Sequence, residues 1–137
     1  MPDIPYDEET SEHFMAACRQ ADLAHIRVLS PTSTPERIRQ NLAVAHGFVY
    51  CTALAGTTGV RAALHPETKK FLTRVRQNTD LPLAVGFGIS EPAHVAALIG
   101  AAEIAVVGSA VLQEIATHGL GGVHDFVKNL VEPGLVL

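Results

Sequence analysis

The chain has 137 residues, of which 47% are hydrophobic and 18% are charged, and its formal net charge is −4 at pH 7. This length favours one domain, and the acidic balance argues against a nucleic-acid binder. No apolar run approaches the roughly 18 residues that span a bilayer, and the first residues do not resemble a signal peptide. We therefore expect a cytoplasmic protein without membrane or nucleic-acid partners.

The predicted elements alternate along the chain. Short, continuous apolar runs at 25–30, 48–53, 81–88 and 104–110 are typical of parallel strands. Helical periodicity and start signals, such as Thr34 before Pro35 and Ser90 as an N-cap, separate these runs. The predicted helices cover 11–23, 35–45, 66–77, 91–99, 109–119 and 123–131.

This alternation predicts an α/β protein with a parallel sheet. Two architectures fit it, a doubly wound sheet and part of a barrel, and a whole (β/α)8 barrel needs about 250 residues. The chain supplies about half of that length, and residues 1–5 look like the end of a further strand.

The cysteines and histidines show no spacing typical of a metal site. Cys18 and Cys51 form no CxxC pair, and the seven histidines contain no HExxH pattern. Zinc sites commonly use such closely spaced ligands. We expect two reduced, mostly buried thiols, no metal and no other cofactor.

Two small-residue turns follow the last two predicted strands, "GFGIS" at 86–90 and "VGSA" at 107–110. Glycine lets the backbone approach a ligand closely, and the N–H groups at a helix start attract anions. The pair favours a phosphate site, with 109–119 as the short extra helix of such a site. The alternative is that these glycines only make tight turns.

The segment "ALAGTTGVRAAL" at 53–64 is rich in small residues. Its composition suits a mobile lid over a site, but composition alone favours an ordinary surface loop.

Taken together, the segments "LSPTSTPERI", "GFVYCTALAGTTGVR", "LPLAVGFGIS" and "IAVVGSA" resemble the C-terminal half of the tryptophan synthase α subunit family, in order and in separation. The resemblance implies the C-terminal half of a TIM (β/α)8 barrel, with residues 1–137 as a single partial domain. It also implies retro-aldol cleavage of indole-3-glycerol phosphate to indole and glyceraldehyde 3-phosphate.

The resemblance assigns roles around the substrate. Gly88, Gly108 and Ser109 would bind the phosphate, while Phe87 and Leu29 would line the apolar pocket for the indole. Core packing is the alternative role for aromatic side chains at strand ends.

Tyr50 would sit beside the indole and near the catalytic acid, with core packing again as the alternative. The lid loop would comprise Gly56, Thr57, Thr58 and Gly59, with Thr57 standing where the family usually has Val. Thr58 would help to position the catalytic carboxylates. Asp3 matches an acidic residue at the rim that faces the β subunit.

In this family the catalytic Glu and Asp belong to the N-terminal half, and neither motif occurs here. Asp3, Glu8, Glu91 and Glu103 are the acids near predicted strand ends, and none is a persuasive replacement. We therefore expect no catalytic residue in this chain and no activity from the chain alone. Its expected partners are a β subunit, a phosphate substrate, and a missing N-terminal half or a second copy. The alternatives are a non-catalytic phosphate-binding module and a module that docks on the β subunit.

Overall fold

The computed structural model describes residues 9–53, 65–86 and 88–132, and within these ranges helices and strands alternate. None of the helices in the described ranges has the length and apolarity needed to cross a membrane. The strands are β1 (Arg27–Leu29), β2 (Val49–Thr52), β3 (Leu83–Gly86) and β4 (Ile104–Ala105). The helices are α1 (Glu9–Gln20), α2 (Pro35–Leu42), α3 (Pro66–Arg76), α4 (Pro92–Ala96), α5 (Ser109–His118) and α6 (Leu120–Val131).

All strand pairs are parallel, and the order in the sheet is β1-β2-β3-β4, the order along the chain. A doubly wound sheet reverses its strand order at a switch point, whereas consecutive order is that of a barrel. The predicted alternation is confirmed, and the strand order decides between the two architectures in favour of half a barrel.

One face of the sheet forms the hydrophobic core. Successive strand residues point to opposite faces, so alternate residues of β1, β2 and β3 share the face that α2 and α3 cover. The most deeply buried core residues are Leu29, Val49, Cys51, Leu83 and Val85 from the strands, with Ile38, Phe71, Leu72 and Val75 from the helices.

The helix starts confirm one predicted cap and contradict another. Thr34 caps α2, and its Oγ1 accepts a hydrogen bond of 3.2 Å from the Arg37 N–H. The prediction of Ser90 as the cap of α4 is wrong, because the N-cap is Glu91, which makes no side-chain cap bond. Pro92 explains this, since proline favours the first helical position and the residue before it becomes the cap.

Several element boundaries also differ from the prediction. Helix α2 ends at Leu42, so Ala45 is buried outside the helix rather than on its face. Strand β4 covers only two residues of the predicted run at 104–110. Helix α6 starts at Leu120 rather than at residue 123, because Gly119, with φ 71°, ends α5 and leads directly into α6.

Glu103 ties together the amino ends of the last two strands. Its Oε2 accepts a 2.7 Å hydrogen bond from the Leu83 N–H, and its backbone N–H donates to the Leu83 carbonyl at 3.1 Å. Arg76 Nη2 lies 2.7 Å and 2.6 Å from the two carboxylate oxygens. The Leu83 N–H and the Arg76 guanidinium hold the pKa of Glu103 below its usual value. Glu103 therefore has a structural role at the amino-terminal edge of the sheet.

We expect Glu103→Gln to lower the free energy of unfolding by about 1 kcal/mol at neutral pH, because it weakens charge-assisted hydrogen bonds at a half-exposed site. The folded carboxyl has the lower pKa, so its contribution is fully present above the unfolded value of about 4.3. The contribution is lost as the pH falls through the folded value.

Urea unfolding at about pH 7 and about pH 3.5 measures this difference, which should shrink at the lower pH. Glu91→Gln is the control, because Glu91 is exposed and its side chain makes no cap hydrogen bond. An equal pH dependence for both variants would contradict the assignment.

Candidate active site

The carboxyl ends of the four strands meet at one edge of the sheet. Thr52 of β2 pairs with Gly86 of β3, and the next N–H, that of Ala53, donates to the Gly86 carbonyl at 2.7 Å. The Val106 N–H, just beyond β4, donates to the Val85 carbonyl at 2.8 Å. The strands β2, β3 and β4 therefore end side by side, at the edge where barrels bind ligands.

Tyr50 lies directly over Gly86 on the face opposite the core. A Cβ atom at position 86 would lie 2.8 Å from Tyr50 Cζ, in collision with the phenol oxygen, and 3.2 Å from Val106 Cβ. The half-buried phenol occupies the space that any other residue at position 86 would fill. Tyr50, Gly86 and Val106 thus form one wall of the candidate site.

The turn after β3 has the backbone conformation that glycine favours. Gly88 has φ 87°, in the left-handed region, and is exposed. The next residue, Ile89, is 5% exposed and belongs to the hydrophobic core, so it anchors the turn.

Helix α5 presents its N-terminus at the same edge. Gly108 is its N-cap, with no side-chain cap bond, and no atom lies within 4 Å of where its Cβ would be. The Val111 N–H donates a hydrogen bond of 3.0 Å to the Gly108 carbonyl. The preceding N–H groups of Ser109 and Ala110 have no acceptor within the helix, and such an end attracts anions.

A cluster of hydroxyl groups lies at the carboxyl end of β1. Ser30 Oγ lies 2.8 Å from Thr32 Oγ1 and 3.4 Å from Ser33 Oγ. Thr52 Oγ1, at the end of β2, donates to the Leu29 carbonyl at 3.4 Å. Sequence reasoning assigned no site role to these hydroxyls, although the run "SPTST" directly after a strand was the available signal.

Leu29 lies apart from the other predicted pocket residues. It pairs in register with Cys51, whereas Tyr50 pairs with Val28, so the two side chains point to opposite faces of the sheet. Leu29 is 1% exposed and packs in the core against the helices. Leu29 was expected to line the apolar pocket for the indole with Phe87, but strand alternation places its side chain in the core, on the face opposite Tyr50.

Other predicted positions lie outside the described residues. Asp3, Glu8 and Phe87 are among them. So is the whole predicted lid, with Gly56, Thr57, Thr58 and Gly59.

The described residues offer few catalytic groups at this edge. Glu103 lies at the opposite end of its strand, and Glu91 is exposed at the start of α4. Both cysteines are free and buried, and burial raises the pKa of Cys51 to about 12, so it holds its proton at neutral pH. Within the described ranges, no three His, Cys, Asp or Glu side chains cluster as metal ligands.

Comparison with known proteins assigns the family. The sequence model of the tryptophan synthase alpha chain family matches residues 1–132. This chain belongs to the tryptophan synthase alpha chain family. The alpha chain of Desulfotalea psychrophila is 43% identical over 130 residues, which cover 95% of this chain and 50% of that protein. The alpha chain of a Roseiflexus species is 46% identical over 134 residues, 95% and 51% of the two chains.

Solved structures show the same half-length match. A tryptophan synthase from Mycobacterium tuberculosis superposes with a TM-score of 0.82 at 30% identity, over 96% of this chain and 49% of that one. The tryptophan synthase α2β2 complex of Pyrococcus furiosus gives a TM-score of 0.81 at 29% identity, over 96% and 52%. The chain spans about half the length of the alpha chains it matches, and it corresponds to the C-terminal half of their barrel.

The contact between Tyr50 and Gly86 gives a test of the site wall. We expect Gly86→Ala to lower the free energy of unfolding by about 1–3 kcal/mol, because the new methyl group collides with the phenol. Gly121→Ala is the control, since Gly121 lies in α6 with open space around it and should gain helix stability.

A double-mutant cycle with Tyr50→Ala, read by urea unfolding, completes this test. The cost of Gly86→Ala should fall when the phenol is absent. An unchanged cost would show that the tyrosine ring does not restrict position 86.

Proposed function

We propose that this chain is the phosphate-binding and lid half of an aldolase that cleaves indole-3-glycerol phosphate to indole and glyceraldehyde 3-phosphate. The observation that carries the proposal is the shared position of three features at one sheet edge. These are the phenol of Tyr50, the left-handed turn at Gly88 and the uncapped N-terminus of α5. Together they offer an apolar wall and backbone N–H donors to a substrate that is aromatic at one end and anionic at the other.

Each group has a distinct task in this proposal. The N–H groups at Gly88 and at the start of α5 bind the phosphate, assisted by the exposed hydroxyl of Ser109. Tyr50 contacts the indole from the wall of the site. Phe87 and the lid residue Thr58 keep the roles that the family resemblance implies.

In this proposal, the acid–base groups of the reaction lie outside this chain. Retro-aldol cleavage needs one group to take a proton from the glycerol hydroxyl and another to protonate the indole ring. Among the described residues, Glu103 is engaged at the far end of the sheet. The chain by itself is therefore proposed to be inactive.

The open side of the sheet supports a role for a protein partner. In the described part of the chain, β4 pairs with β3 alone, and Ile104 in this edge strand is 38% exposed. An uncovered edge invites pairing with another chain. We propose that an N-terminal half-barrel or a second copy covers this side, that a β subunit docks as in the α2β2 complex named above, and that the assembly works in the cytoplasm.

Binding of a phosphate ester tests the anion site. We expect Gly108→Asp to weaken the affinity for glycerol 3-phosphate at least about tenfold, because the carboxylate repels the phosphate at the N-terminus of α5. The open space at Gly108 should let the fold accept the side chain.

Gly121→Asp is the matched control for this measurement, since it adds the same charge at another exposed glycine with open space. Isothermal titration calorimetry reads the affinity, and circular dichroism verifies folding. Equal affinity of the two variants would refute the anion site.

A cleavage assay tests whether this chain lacks the acid–base groups of the reaction. The purified chain should show no cleavage of indole-3-glycerol phosphate above the uncatalysed rate, and cleavage should appear after addition of the N-terminal half of a related alpha chain. Release of indole is the measurement. Turnover by the chain alone, abolished by Tyr50→Phe, would place an acid–base group within it.

A further inference from the structure

The turn that follows β3 is held by a side chain from the helix after it. The Ser90 N–H donates a 3.3 Å hydrogen bond to Nδ1 of His94 in α4. Gly88, with its left-handed φ, lies two residues before Ser90, and Ile89 between them is anchored in the core. The Gly88–Ser90 turn is therefore fixed by burial at its middle residue and by an imidazole at its last residue.

This hydrogen bond differs from an ordinary helix cap. Glu91, the N-cap of α4, makes no side-chain cap bond, and His94 is the third residue of the helix. In a capping box the side chain of the third residue accepts from the N–H of the N-cap itself. Here it accepts from the residue before the N-cap, so the bond ties the helix to the turn.

We propose that His94 is a positioning residue for phosphate binding, which holds the Gly88–Ser90 turn in its binding geometry through the lone pair of Nδ1. The inference rests on the proposed function, which gives the Gly88 turn a phosphate contact. His94 itself touches no substrate in this proposal. It acts by restricting a turn whose glycine would otherwise sample many conformations.

The bond requires the neutral imidazole. Nδ1 accepts a hydrogen bond only when it carries no proton, and a protonated imidazole has donors alone. The charged and titratable groups on the elements in contact are Glu91 at the entry to α4 and His124, Asp125 and Lys128 on α6, which packs against α4. No ion pair joins any of them to His94 within the described residues.

Variants at position 94 separate positioning from folding. We expect His94→Ala to weaken the affinity for glycerol 3-phosphate about five- to tenfold at pH 8. His94→Gln, whose amide oxygen can accept the same N–H, should stay within about twofold of wild type. Thr34→Ala is the control for stability. It removes the hydrogen bond from the Arg37 N–H to Thr34 Oγ1, which caps α2 away from the turn.

The outcomes distinguish this inference from the function on which it rests. Equal affinities of wild type and His94→Ala would overturn the positioning role alone, and so would an affinity of His94→Gln as low as that of His94→Ala. No binding of glycerol 3-phosphate by the wild-type chain would refute the phosphate site and the positioning role together.

Discussion

The phenol of Tyr50 and the backbone of Gly86 occupy adjacent space at the end of the sheet, and the candidate site depends on this contact. The contact exists because β2 and β3 pair in parallel over four residues, from Val49 with Leu83 to Thr52 with Gly86. A larger residue at position 86 would displace the ring, and a shift of register by one residue would turn it towards the core. The wall of the site is thus a consequence of one glycine within one strand pair.

The two ends of the sheet have different tasks. At the amino end, Glu103 joins Leu83 and Arg76 in a set of charge-assisted bonds that hold the sheet to α3. At the carboxyl end lie the left-handed turn at Gly88 and the start of α5, whose first N–H groups have no acceptor within the helix. This division is the usual one in barrels, where ligands bind at the carboxyl ends of the strands and the other face serves stability. It explains why an acidic residue next to a strand is no candidate for catalysis here.

The half-length match to the alpha chains bears directly on function. Four strands supply one part of a barrel wall, and the open side of β4 leaves Ile104 partly exposed. In the proposed function, the half-barrel holds the phosphate with its own backbone groups, because those donors come from a local turn and from one helix end. Proton transfer needs two side chains placed on either side of the reacting bond, and such an arrangement requires a more complete wall. In the proposed function, binding and catalysis are therefore separable.

The sequence by itself determined the alternation of helices and strands, the helix starts at Thr34 and Pro66, and the placement of glycine turns after strands, because hydrophobic periodicity and capping are local properties. Its resemblance to the alpha chains also identified the family. Only the tertiary structure decided that the strands follow one another in the sheet, that Leu29 belongs to the core, and that His94 holds the turn before α4. These features depend on strand order, on register and on the direction of side chains. Contacts between distant segments set all three, and no local pattern of residues encodes them.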